Sequence, residues 1–202
     1  MNGRVGICER KTKETNIKIS INLDGSGKTD IQTGVGFFDH MLDGFARHGL
    51  FDLDVKVEGD LNVDCHHTVE DTGIVLGKAI AEALGDKKGI KRYGSFMLPM
   101  DETLALCAID LSGRPYMNFK EDFTVEKLGD LDTEMIREFF YAISYSAGMN
   151  LHLKIMFSSA CIYKQASKII SKELSQIHVN ILHFRNMVPY VNMKKLQMYL
   201  HP

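Results

Sequence analysis

The sequence predicts an α+β fold built by internal duplication. Each half runs strand, strand, helix, strand, helix and gives a four-stranded sheet with helices packed on one face. Three observations predict this. Several short segments alternate apolar and polar residues, several longer ones repeat apolar residues at helical spacing, and the two patterns follow one another in the same order twice. The clearest internal parallel sets Leu53-Asp54-Val55-Lys56-Val57 against Leu151-His152-Leu153-Lys154-Ile155. The halves are read as residues 1–93 and 94–183, followed by a tail, 184–202, without a clear period.

Within the first half, Thr15 to Leu23 alternates strictly, which places Ile17, Ile19, Ile21 and Leu23 inward on a half-buried strand. Asp24-Gly25-Ser26-Gly27-Lys28 then predicts a tight turn into a partner strand, Thr29 to Thr33. No helix follows Gly25-x-Gly27, so a hairpin is preferred to a phosphate loop. Phe37 to His48 reads as a helix with Phe37, Phe38, Met41, Leu42 and Phe45 as its apolar face, ended by Gly49. His40 lies in it as an ordinary core or surface histidine. Phe51 to Glu58 is the next strand, with Leu53, Val55 and Val57 on one side.

The densest chemistry follows, in Asp64-Cys65-His66-His67-Thr68-Val69-Glu70-Asp71. Val69, Gly73, Leu76, Ile80 and Leu84 recur at helical spacing, so these ligand-type residues occupy a first helical turn with Asp64 as its N-cap. His66 and Glu70 stand four apart and His67 and Glu70 three, so either pair can share a side. Adjacent histidines diverge by about 100° around the axis, which suits two metal ions, or one metal and one substrate, better than a single chelate. Imidazoles and a carboxylate without thiolate suit manganese, iron or zinc in a catalytic role. A capped surface helix with two solvated histidines is the plain alternative.

Lys87 to Gly94 is a basic, glycine-punctuated link between the halves, and its Arg92 could also meet a phosphate bidentately. Leu104 to Leu111 reads as a buried strand, Ser112-Gly113-Arg114-Pro115 as a turn, and Tyr116 to Phe123 as the returning strand. Thr133 to Gly148 is a helix with Met135, Ile136, Phe139, Phe140 and Ile143 inward. A strand over Leu151–Phe157 and a helix over Ile162–Ile177 complete the half.

At 202 residues, 45% hydrophobic and 25% charged, the chain has the composition of a soluble globular protein. A net charge of −2 gives no general attraction for nucleic acid or membrane surfaces. No apolar run of spanning length and no signal-type segment stands out, which predicts a cytoplasmic protein. Cys8, Cys65, Cys107 and Cys161 are scattered, as expected for reduced thiols.

Six ordered runs resemble one known family: Lys13-Glu14-Thr15, Gly34 through Leu42, Asp64 through Asp71, Lys88 through Gly94, Pro99-Met100-Asp101-Glu102, and Asp110 through Tyr116. From about Arg4 to Phe157 the sequence resembles imidazoleglycerol-phosphate dehydratase of histidine biosynthesis. The resemblance implies a fold like domain 2 of ribosomal protein S5 and a dimanganese lyase. It implies removal of water from D-erythro-imidazole glycerol phosphate to give imidazole acetol phosphate. It further implies a cubic homo-oligomer of 24 subunits with active sites between them. By position, His40, His66, His67, Glu70 and His152 match metal ligands, His40, His66, His67 and Glu70 with Glu14 match the catalytic set, and Glu14, Arg92 and Arg114 match residues that handle the substrate.

The family's second His-His-x-x-Glu is missing. In its register stands Ile162-Tyr163-Lys164-Gln165-Ala166, the later family lysine falls at Ile170, and the C-terminal Ser-Thr-Lys-Gly run is absent. His178 and His183 lack the required spacing. The sequence therefore predicts reduced manganese occupancy, and it leaves a catalytically impaired relative that keeps scaffold and partial ligand or partner binding as the alternative to a working lyase.

Overall fold

Alternation of buried and exposed positions gives the first strands their shape in the computed structural model, which describes residues 3–157 apart from 101, 102, 121, 122 and 124. Strand β1 (Val5–Lys11) turns at residues 12–14 into β2 (Thr15–Asn22), where Ile17, Ile19 and Ile21 are fully buried and their neighbours face out. Strand β3 (Thr29–Gln32), helix α1 (Gly36–Gly49), strand β4 (Asp52–Gly59) and helix α2 (His66–Leu84) complete the first half. The second half holds β5 (Tyr93–Met100), β6 (Thr103–Asp110), β7 (Tyr116–Lys120), the two-residue strands β8 (Lys127–Leu128) and β9 (Leu131–Asp132), helix α3 (Glu134–Ala147) and β10 (Asn150–Phe157).

Both large sheets have the same topology, β1-β2-β4-β3 and β5-β6-β10-β7. The duplication is close to exact: β2 shifted by 88 residues is β6, from Thr15/Thr103 to Asn22/Asp110, and α1 shifted by 98 is α3, from Gly36/Glu134 to Gly49/Ala147. The difference of ten residues is an insertion between β7 and α3, and the β8–β9 hairpin lies in it. The halves share one core, in which Ile17, Ile19, Leu42 and Leu76 cluster with Ile109, Met135, Phe140 and Leu151. Phe38 of α1 meets Phe139 of α3 edge-on at 5.0 Å. Helix α2 packs closely on α3, because a Cβ on Gly73 would stand 2.9 Å from the Phe139 carbonyl and one on Gly77 2.9 Å from that of Ile143.

Four readings are corrected. Asp24–Lys28 makes no hairpin: β3 pairs with β4 in parallel and β2 pairs with β1 and β4. Asp52 shapes that loop instead, its Oδ1 accepting the amides of Ser26 at 2.8 Å and Lys28 at 3.1 Å. Likewise β7 does not return along β6 but pairs in parallel with β10. Turn residues fix where a chain bends, whereas pairing depends on which strand inserts later. Helix α1 is closed by Leu50 in the left-handed region (φ 55°), one residue beyond Gly49. On α2 the N-cap is Cys65, and Asp64 lies just outside, accepting the His66 amide at 2.7 Å. The helix expected over Ile162–Ile177 lies outside the described residues.

Candidate active site

Helix α2 presents its first turn at the surface while its next turns are buried. His66 Nε2 faces Glu70 Oε2 at 3.6 Å, one helical turn apart. The His67 ring is turned away, 6.1 Å from that of His66 and inclined by 69°, as the divergence of neighbouring helical positions demands. Its Nδ1 donates to Asp60 Oδ2 at 2.9 Å, a carboxylate being able only to accept. That bond, with the charges of Asp60, Glu14 and Asp64, raises the His67 pKa against a smaller desolvation effect. Asp60 reaches this position because β4 ends hard against α2, where a Cβ on Gly59 would overlap the Thr68 hydroxyl.

Glu14 stands on the β1–β2 turn, near enough for its charge to help raise the His67 pKa. The Thr12 hydroxyl accepts the amides of Glu14 at 3.1 Å and Thr15 at 2.9 Å and so shapes the turn. Thr15 Oγ1 then donates to buried Asp71 at 2.5 Å, and Arg10 pairs with the same carboxylate. Asp71 therefore moors the turn to α2, beside Glu70.

The remaining sequence-predicted residues lie in two other places. His40 is exposed on α1, its ring 6.5 Å from Phe37. His152 is exposed on β10, 5.6 Å from the Tyr116 ring. Near the start of β10, Arg92 donates to Asp110 through Nε at 2.6 Å and Nη2 at 3.0 Å, and its guanidinium lies 4.8 Å over the Tyr93 ring. That pairing holds the Asp110 carboxyl below its usual range, with smaller help from Ser112 and the Arg114 charge. Arg92 thus grips this carboxylate directly, and Arg114 acts on it only through its charge. Among the described residues no three His, Cys, Asp or Glu side chains of one chain converge closely enough to hold a metal.

The donors on α2 nevertheless fit a metal. A separation of 3.6 Å is long for a hydrogen bond. It is near the spacing of neighbouring ligands on one ion, which at bond lengths of about 2.1 Å stand roughly 3 Å apart. The Asp60 carboxylate on His67 is arranged like the outer carboxylates that metal-binding histidines usually carry, and Asp60 Oδ1 is buried without a hydrogen-bond partner. Sequence reasoning missed Asp60 and gave Asp71 no role. Neither has a periodic signal, since Asp60 reaches its partner across a loop and Asp71 across 56 residues of sequence.

Comparison with known proteins places these residues in context. A family model described as imidazoleglycerol-phosphate dehydratase matches residues 33–164. The chain is 67% identical over 153 residues to the imidazoleglycerol-phosphate dehydratase of Lachnoclostridium phytofermentans, covering 76% of this chain and 78% of that protein. To that of Acetivibrio thermocellus it is 63% identical over 150 residues, covering 74% and 77%. Among solved structures, imidazoleglycerol-phosphate dehydratase from Staphylococcus aureus superposes with a TM-score of 0.77 at 35% identity, covering 88% of this chain and 98% of that one. The sheet topology, the motif at the head of α2 and this identity along three-quarters of the chain make it a member of the imidazoleglycerol-phosphate dehydratase family.

Proposed function

We propose that this chain carries out the family's dehydration of imidazole glycerol phosphate, with manganese held by His40, His66, His67, Glu70 and His152 drawn from more than one subunit of a cytoplasmic homo-oligomer. The observation that carries the proposal is the facing His66–Glu70 pair, with His67 beside it held by Asp60. His40, His152 and the α2 turn lie apart on one chain, which supports a site completed by neighbouring copies. No helix among the described residues is long and apolar enough to cross a membrane.

The reaction sets a specific demand. The carbon that loses its proton has no adjacent carbonyl, so the substrate's imidazole must take up the electron pair. Manganese held there would supply Lewis-acid stabilisation of that ring and of the leaving hydroxyl. Glu14 takes the proton from the middle carbon of the side chain, while the hydroxyl on the carbon attached to the ring leaves as water and the resulting enol becomes the ketone. Glu14 does so from a turn that Thr12 and Asp71 hold in place. Asp60 keeps His67 in one orientation and leaves its Nε2 outward. Arg114 is available to the phosphate, whereas Arg92 must share its fork with Asp110.

The test is a steady-state assay of the purified chain with imidazole glycerol phosphate, after chelation and after manganese is restored. Turnover should require manganese and fall by about 10² to 10⁴ in Glu14→Gln, the range of a lost proton-transfer group. Absence of turnover at saturating manganese would overturn the proposal. It would favour the impaired relative, for which the motivating observation is Ile162-Tyr163-Lys164-Gln165-Ala166 in place of the second motif.

A further inference from the structure

The ten-residue insertion is where the two halves differ most, and its described contacts reach toward the ligand-bearing helices of the first half. Hairpin β8–β9 is a firm element. Leu128 and Leu131 are 4% and 3% exposed, the Thr133 amide bonds the Glu126 carbonyl at 2.8 Å, and the Thr133 hydroxyl donates to the Val125 carbonyl at 2.6 Å. It is thereby fixed at the start of α3. From its tip, Asp130 accepts the amide of Gly36 at 2.7 Å and that of Phe37 at 3.1 Å. Helix α1 has no cap from its own N-cap residue, Val35, so a carboxylate 94 residues away does that work. From its last residue, Asp132 accepts from the Cys65 thiol at 3.5 Å, and Cys65 is the N-cap of α2. Lys127 steadies Asp132 at 3.1 Å. His40 follows the first anchored amide by four residues and His66 follows Cys65 directly.

We propose that Asp130 and Asp132 are positioning residues: the hairpin is a brace that sets the starts of α1 and α2 relative to each other and so aims His40, His66 and His67 for metal binding. The proposal rests on the manganese reading given above. A side chain one turn from a helix start is displaced by any tilt of that start, and ligand placement must hold to within about 0.5 Å. The corresponding link in the first half, between β3 and α1, is only residues 33–35, so the brace has no twin.

The experiment compares the full-length chain with Asp130→Ala, Asp130→Asn and Asp132→Asn. Asp52→Asn is the control, because Asp52 likewise accepts loop amides but lies away from both helix starts. Manganese affinity is read from electron paramagnetic resonance of the free ion as manganese chloride is titrated, and amide hydrogen exchange is followed over residues 36–48 and 65–72. Asp130→Ala should weaken the manganese Kd by about fivefold to tenfold, the scale of a lost helix cap. Asp130→Asn, which keeps one acceptor, should fall between it and the unaltered chain, and Asp52→Asn should leave the Kd unchanged. Exchange should quicken at the start of α1 in Asp130→Ala and at the start of α2 in Asp132→Asn. Faster exchange with an unchanged Kd would overturn positioning and leave the hairpin a structural cap. An equal loss of affinity in Asp52→Asn would overturn it as well, by showing general destabilisation. If the unaltered chain bound no manganese, the functional reading would fall first and take the proposal with it, a result distinct from either of these.

Discussion

Asp60 governs His67 through a single bond. Because the carboxylate fixes the proton on Nδ1, the ring presents Nε2 outward as a ready ligand. Replacing Asp60 by Asn should therefore weaken manganese binding by about tenfold to a hundredfold while leaving the fold intact, as removal of such outer partners does. Equilibrium dialysis against manganese would check this, and an unaltered Kd would show that the bond is incidental. At this scale the sequence was informative about identity and uninformative about partners. The spacing of His66, His67 and Glu70 on one turn was legible from period alone, and the structure keeps His66 opposite Glu70. Asp60, Asp130 and Asp132 were not, because each reaches its partner across a loop or between halves. The Arg92–Asp110 bond also escaped notice, although both residues stand in runs that matched the family.

Among the elements, the contact of α2 with α3 matters most. Gly73 and Gly77 remove side chains from the seam, so the two helices approach backbone to side chain. Gly73→Val would place new atoms against the Phe139 carbonyl and the Ala142 methyl, neither of which can swing aside. A loss of about 1–3 kcal/mol is expected, the usual cost of overpacking, read as a lower urea midpoint. A neutral effect would mean that the seam is looser than its contacts indicate. Helix faces were the most legible elements: the inward residues expected on α1 and α3 are buried, Phe37 alone being half-exposed. Strand pairing was less so, because alternation says which face a strand buries and nothing about its neighbour. Strand β1 went unrecognised since Val5 and Ile7 face out, while Gly6 is the residue that packs, against the Ala79 carbonyl of α2. The β8–β9 hairpin, with two residues per strand, is too short to carry a period.

For the whole molecule, the missing second motif sets the expectation. Chemical analysis of protein prepared without chelator should find fewer than two manganese ions per chain, and full occupancy would show that other ligands compensate. Turnover should rise when Ile162→His, Tyr163→His and Ala166→Glu are combined, although the lysine absent at Ile170 limits the gain. No rise would mean that these positions do not face the metal. Duplication itself was visible in the sequence as repeated patterns, yet its precision was hidden by the inserted ten residues, which break any single offset. The glycine seam also bears on how the chain is made. A nascent chain that has emerged only as far as Gly89 carries the whole of α2, but the residues of α3 that pack against Gly73 and Gly77 have not yet been made. The seam closes only once α3 has left the ribosome, so the duplicated parts are expected to mature as one cooperative unit rather than one after the other.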